Sequence, residues 1–327
     1  MYGHSAAAMN LPYYAIDCLI CLAVFLGINA LWQTVPEPDR FAAASGKFQE
    51  LEAWQHLKDI TQVGPRVHGS HANEVATVNL LRDKLEQISA ASRRYPIEIQ
   101  HQIADGSFHL DGWGSTFHYQ QVQNVIARIR LTEGMHRSPA PALLLNCHFD
   151  SVPLSPGASD DGVQCAILIE VLSALSKLDG DQVFHHDVIV LFNGAEETIL
   201  RASHAFITQH PWARDITMFM NLEAAGAGGR EVLFQSGPGN MWILDTYLAA
   251  APYPSATVVA QEIFQNNLIP SDTDFRIFRD YGNISGIDMV RTGLNGSLSR
   301  LDCCTRAKTI HPFMVPGLRP QRLRLPH

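Results

Sequence analysis

The chain opens on a long apolar run. From Leu11 to Val35 every position is apolar or weakly polar except Asp17, Asn29 and Gln33, and Cys18 to Trp32 is the densest part. About 20 mainly apolar residues suffice for a membrane-spanning helix, and Tyr13, Tyr14 and Trp32 stand near its two ends, where amphipathic rings favour the interface. The pattern predicts an N-terminal tail (1–10), a transmembrane signal anchor (11–35) and a linker (36–44). In the linker, Pro36 and Pro38 end the helix. A cleaved signal peptide and a buried core helix are the competing readings of the same run.

Beyond the linker the periodicity changes. Residues 45–62 and 72–89 carry apolar positions at helical spacing, among them Val75, Val78, Leu81, Leu85 and Ile88, and the breaker-rich stretch VGPRVHGS lies between them. Four strand-like runs follow: Val122–Leu131, Ala142–Cys147, Asp187–Phe192 and Met218–Leu222. They are rich in branched and large apolar residues without clean alternation, which suits strands buried on both faces. Helical patterns at Val163–Leu178 and Ala202–Gln209 separate the later runs. The order strand, helix, strand, helix, strand predicts an α/β fold whose mostly parallel mixed sheet is flanked by helices. In such sheets ligands bind at the carboxyl ends of the strands, so chemistry is sought just after each run.

Composition narrows the function. Of 327 residues 46% are hydrophobic and 17% charged, which excludes wholesale disorder and coiled coil. Lys plus Arg (24) against Asp plus Glu (32) leaves a net charge of −8. No nucleic-acid partner is expected from it, since phosphate affinity comes mainly from Lys and Arg. Six cysteines are too few for a disulfide scaffold.

Metal-type ligands follow the strands. The run ALLLNC leads into His148, Phe149 and Asp150; DVIVLF leads into Asn193, Gly194, Ala195, Glu196 and Glu197; MFMNL leads into Glu223; and PGASDDG, with Asp160 and Asp161, opens the helix after the first run. Each alone reads as a solvated loop charge. Together they bring imidazole and carboxylates to one rim, and hard oxygens with a neutral nitrogen suit Zn²⁺ where thiolates are absent. Residues two apart on an extended segment point the same way, so Asp150 can accept the second ring N–H of His148 and hold its tautomer.

The segments HFDS, PGASDDG, NGAEE and NLEAAG resemble the di-zinc aminopeptidase family of co-catalytic metallopeptidases, in particular its endoplasmic reticulum branch, over roughly Phe41 to Met289. The resemblance implies that His148, Asp160 and Glu223 hold one zinc and that Asp160 bridges to a second zinc held by Glu197. It also implies that Glu196 is the general base and Asp150 orients His148. The implied activity is exopeptidase hydrolysis of peptide substrates from a lumenal domain anchored in the endoplasmic reticulum membrane. The implied zinc peptidase domain spans 45–289. From Val290 to His327 a basic, Pro-containing tail with adjacent Cys303 and Cys304 departs from the family pattern where its last histidine ligand is expected. This reads as a frame-shifted or alternatively spliced end that leaves the second site short of a ligand, so that one zinc is expected here, with His311 a weak substitute. Two alternatives stay open: a non-catalytic product acting by association, and a single-zinc enzyme like glutaminyl cyclase. His118, His185 and His186 read as surface histidines. Cys147 and Cys165 read either as a disulfide or as buried free thiols, and Asn283 and Asn295 match the glycosylation acceptor pattern.

Overall fold

The computed structural model describes residues 11–33, 48–131, 140–178, 184–224, 229–239, 241–251, 254–269 and 271–292. The linker, the tail from residue 293 with His311, Asn295, Cys303 and Cys304, and the N-terminal ten residues lie outside them. The chain divides into two units, residues 1–37 and 38–327.

The first unit contains the helix α1 (Leu11–Gln33). Its side chains are described over residues 14–30, where Leu19, Phe25 and Ile28 are exposed. Among the described residues no helix is long and apolar enough to cross a membrane.

In the second unit, α2 (Glu50–Gln62) and α3 (Val78–Ala91) precede two long strands, β1 (Ile97–Leu110) and β2 (Ser115–Ile129). The chain then alternates through β3 (Ala142–His148), α4 (Val163–Ser176), β4 (Asp187–Asn193), α5 (Arg201–Gln209) and β5 (Ile216–Ala224). It ends with β6 (Arg230–Gly237), α6 (Met241–Ala250), α7 (Val258–Gln265), α8 (Asp274–Asp280) and β7 (Gly286–Thr292). The seven strands form one sheet in the order β1-β2-β4-β3-β5-β7-β6. The pairs β4–β3, β3–β5 and β5–β7 are parallel, whereas β1–β2, β2–β4 and β6–β7 are antiparallel. The sheet is therefore mixed rather than mostly parallel: parallel pairing is confined to the centre, where strands are joined by crossovers, and the flanking pairs are antiparallel, with β1 and β2 forming a hairpin.

The parallel strands are buried on both faces, which is why their sequences lack alternation. Leu143, Leu145 and Cys147 of β3 join Val188, Val190 and Phe192 of β4 in a core under α2, α3 and α4. Residues of the other parity, such as Leu144, Ile189, Leu191 and Phe219, pack against Phe206 of α5 and Phe275 and Phe278 of α8. The chain leaves β3 for β4 on one side and returns to β5 on the other, so β3 is the point where strand order reverses. A crevice opens at the carboxyl end of the sheet there.

Candidate metal centre

The carboxyl ends of β3, β4 and β5 deliver the chemistry to this crevice. His148 is the last residue of β3 and Glu223 the last but one of β5, while Glu196 and Glu197 follow β4 within three or four residues of its end. Asp160 and Asp161 sit in the irregular turn Ala158–Gly162 that enters α4. His148 Nε2 lies 3.2 Å from Asp160 Oδ1, 3.3 Å from Glu223 Oε2 and 3.9 Å from Glu196 Oε2. His148 Nδ1, on the other side of the ring, lies 3.3 Å from Asp150 Oδ1. Asp150 also receives the backbone N–H groups of Glu196 (3.1 Å) and Glu197 (3.0 Å), so one buried carboxylate ties the β3 end to the β4 loop.

Two glycines make this approach possible. A Cβ on Gly194 would sit 2.4 Å from the Phe149 ring, so the NGAEE segment packs over Phe149 only with glycine there. Gly157 has φ of 53° and presses against Ser151, Arg66 and the Asp160 carbonyl, which turns PGASDDG sharply into the site. Arg66, fully buried, staples the segment between: it donates to the carbonyls of Phe149 (2.6 Å), Pro156 (2.6 Å) and Gly157 (3.1 Å). Asn73 donates to the Gly194 carbonyl at 2.8 Å. Neither Arg66 nor Asn73 stands out in the sequence except by belonging to, or closely following, the breaker-rich VGPRVHGS stretch.

The electrostatics are crowded. Burial opposes protonation of His148, but the charges of Glu223, Asp150 and Asp160 outweigh it and hold its pKa well above the ordinary value. Burial, reinforced by the Glu223 charge, pushes the Glu196 carboxyl well up. Burial likewise raises Glu223 to about 8 and Glu197 to about 7, although the His148 charge works against both shifts. Several carboxylates around a single imidazole form a site that a cation would relieve.

The donor set fits such an ion. His148 Nε2, Glu223 Oε1 and Asp161 Oδ1 are buried atoms without a hydrogen-bond partner, and ligand atoms of His148, Asp161 and Glu223 all lie within 4.8 Å of one another. Asp161 stands beside Asp160 among the metal-type residues of PGASDDG, although the resemblance gives a role to Asp160 alone. Its Oδ2 also accepts the His148 backbone N–H at 3.2 Å. One nitrogen among hard oxygens is a donor set suited to zinc.

The sequence profile of peptidase family M28 matches residues 124–309, more than half of the chain and all of the segments that carry this site. The chain belongs to peptidase family M28. Endoplasmic reticulum metallopeptidase 1 of Homo sapiens is 50% identical to this M28 chain over 250 residues, 76% of the chain and 27% of that protein. The chain thus spans under a third of the length of that relative. Among solved structures, the Legionella pneumophila LapA aminopeptidase superposes with a TM-score of 0.63 at 15% identity, covering 86% of this chain and 76% of LapA. The Porphyromonas gingivalis glutaminyl cyclase superposes with a TM-score of 0.57 at 16% identity over 81% of this chain and 97% of the cyclase. At these identities the likeness is one of fold, and the fold serves both chemistries.

Other sequence candidates lie elsewhere. His118, His185 and His186 are exposed. Cys147 of β3 and Cys165 of α4 are buried free thiols with their sulfurs 3.0 Å apart. Asn283 is exposed in the turn before β7, with φ of 49°.

Proposed function

We propose that the chain is a membrane-anchored, zinc-dependent exopeptidase of the aminopeptidase type. The observation that carries this reading is the buried, unpartnered Nε2 of His148 facing three carboxylates at the reversal point of the sheet. His148, Asp160 and Glu223 would hold one zinc, with Asp161 lining the same pocket, and Asp160 with Glu197 would offer oxygens to a second. Bound zinc supplies Lewis-acid polarisation of the scissile carbonyl and stabilises developing negative charge. Glu196 accepts the proton of the attacking water and returns it to the leaving amine. Burial and the Glu223 charge raise its pKa above that of an ordinary carboxylate, the direction in which a general base becomes a better proton acceptor. Asp150 holds the His148 ring through Nδ1, leaving Nε2 free for the metal.

The name of the human relative supports residence in the endoplasmic reticulum. The apolar helix Leu11–Gln33 would be the anchor, with the catalytic unit lumenal. Protease protection of the second unit in sealed microsomes, and a mobility shift on deglycosylation at exposed Asn283, are the expected signs. Digestion in intact vesicles would refute the lumenal placement.

A single-zinc, glutaminyl cyclase-like activity is the second reading. One three-residue metal cluster, rather than two, stands among the described residues. Elemental analysis of zinc per chain, together with assays for amine release from aminoacyl arylamides and ammonia release from N-terminal glutaminyl peptides, separates the two. Amine release is expected; ammonia release alone would overturn the peptidase reading.

A further inference from the structure

A buried row of amides and carboxylates runs across the sheet just below the metal-type ligands. Asn146 of β3 pairs in register with Asn221 of β5, which pairs with Asp288 of β7, which pairs with Gln235 of β6. Asn146 precedes His148 by two residues and Asn221 precedes Glu223 by two, so each amide shares a strand face with the ligand beyond it. Asn193 of β4 stands three residues before Glu196. All of these side chains are buried.

The row is hydrogen-bonded through its length. Gln235 Nε2 donates to Asp288 Oδ2 (3.0 Å), Asn221 Nδ2 to Asp288 Oδ1 (2.9 Å), and Asn146 Nδ2 to Asn221 Oδ1 (2.7 Å). At its centre Asp274, the first residue of α8 and fully buried, accepts at one oxygen from both Asn146 Nδ2 (2.9 Å) and Asn193 Nδ2 (2.6 Å). Asn193 in turn reaches Asn146 Oδ1 (3.2 Å) and the Cys147 carbonyl (3.3 Å), immediately before His148. Neighbouring Thr273 ties the same helix start to Asp288 at 2.8 Å.

We propose that Asp274 is a positioning residue that sets the separation of His148 and Glu196 by clamping the ends of β3 and β4 together from the opposite layer of the fold. A buried carboxylate amid apolar residues is costly unless its hydrogen bonds are satisfied. Oδ2 of this one is shared by the two strands whose ends must stay in register, while its Oδ1 has no hydrogen-bond partner. Partners of metal ligands commonly change metal affinity ten- to a hundredfold when removed, and Asp274 acts one step further back, through the backbone that carries the ligands.

The inference rests on the metal reading of the site, and the test keeps the two apart. Zinc affinity of the full chain is measured by competition with a chromophoric chelator, with cooperative thermal unfolding followed on the same samples. Asp274→Ala removes the clamp and is expected to weaken zinc about tenfold or more while unfolding stays cooperative. Asp274→Asn keeps an oxygen that both amides can share and is expected to return affinity to within a few-fold of wild type. Should Asp274→Ala not fold, Asn193→Ala opens the clamp from its other end and is expected to show the same loss. Wild-type affinity in both Asp274→Ala and Asn193→Ala overturns the inference. So does equal weakening in Asp274→Ala and Asp274→Asn, which would make charge rather than position the cause. No zinc on the wild-type chain overturns the metal reading and this inference with it.

Discussion

Two clusters of buried charge sit at opposite ends of the same strands, and they are built on opposite rules. At the amino end of β4, Arg128 is 1% exposed and has each guanidinium nitrogen engaged: Nε and Nη2 on Asp187 (3.1 and 2.9 Å), Nη1 on Asp215 (2.5 Å), and Nη2 also on the Ala140 carbonyl. Arg130 adds a second cation beside Asp187 at 3.3 Å. Charges there are matched and the donors filled. At the carboxyl end one imidazole faces a surplus of carboxylates, and buried atoms of His148, Asp161 and Glu223 lack partners. A closed network stabilises the fold; an open, one-signed one stores a binding capacity that the fold itself does not use.

The largest effect should come from Glu196→Gln. Removing a general base is expected to lower kcat by about 10² to 10⁴, or roughly 3–5 kcal/mol of activation free energy. Thermal unfolding of the metal-free chain should stay put or shift upward, since one carboxylate of a repelling set is gone. A large drop in Tm would show that the carboxyl-end cluster is structural after all, and the contrast would collapse.

Arg128→Ala is the mirror experiment. It takes the Arg128 cation from both Asp187 and Asp215, Asp187 keeping Arg130 at 3.3 Å, and should cost about 3–5 kcal/mol of stability, read by denaturant unfolding, while zinc per folded chain is unchanged. Loss of zinc stoichiometry in the folded fraction would mean the two ends are coupled.

Zinc itself sharpens the comparison at intermediate magnitude. At a hundredfold excess over Kd it should stabilise the chain by about 2.7 kcal/mol through preferential binding to the folded state. The metal-free site holds protons near neutrality, with Glu197 at about 7, Glu223 at about 8 and His148 raised. Zinc must displace them, so affinity should rise from pH 6 to pH 8 and binding should release protons. Calorimetry in buffers of different ionisation enthalpy measures that release; its absence would show that these groups are not the ligands.

The same contrast explains what was legible in the sequence. Strand runs such as Ala142–Cys147 and Asp187–Phe192 are visible because burial on both faces leaves an apolar signature, and they match β3 and β4 to within a residue. The strand β1 carries no such signature: IEIQHQIADGSFHL is polar at half of its positions and half exposed, so only its pairing with β2 makes it a strand. His148, Glu196, Glu197 and Glu223 announce themselves by following strand runs. Arg66, Asn73 and Asp274 do not, because their partners are distant in the chain: Arg66 meets Pro156, and Asp274 meets Asn146, only once the sheet has formed. Chemistry-bearing residue types are readable locally, whereas the groups that hold them in place are defined by topology.

Glu170 is the intermediate case, and it gives the smallest of these effects. It is a buried carboxylate of α4 that accepts the Gln49 backbone N–H at the start of α2 (3.1 Å), where a negative charge is favoured. Burial nonetheless dominates and raises its pKa to about 7. The folded-state pKa thus lies above the unfolded value of about 4.3, so ionisation is harder in the folded chain. Its stabilising contribution is present at low pH and is lost as pH rises from about 4.5 to about 7. Glu170→Gln should remove that part of the slope, with wild type falling relative to the variant by on the order of 2 kcal/mol across the window. Urea unfolding at pH 5 and pH 8 measures it. Parallel slopes for the two proteins would place Glu170 with the closed Arg128 network, its charge fully compensated by the helix start. A divergence places it with the site, as a buried carboxylate whose partner offsets only part of the cost of burial.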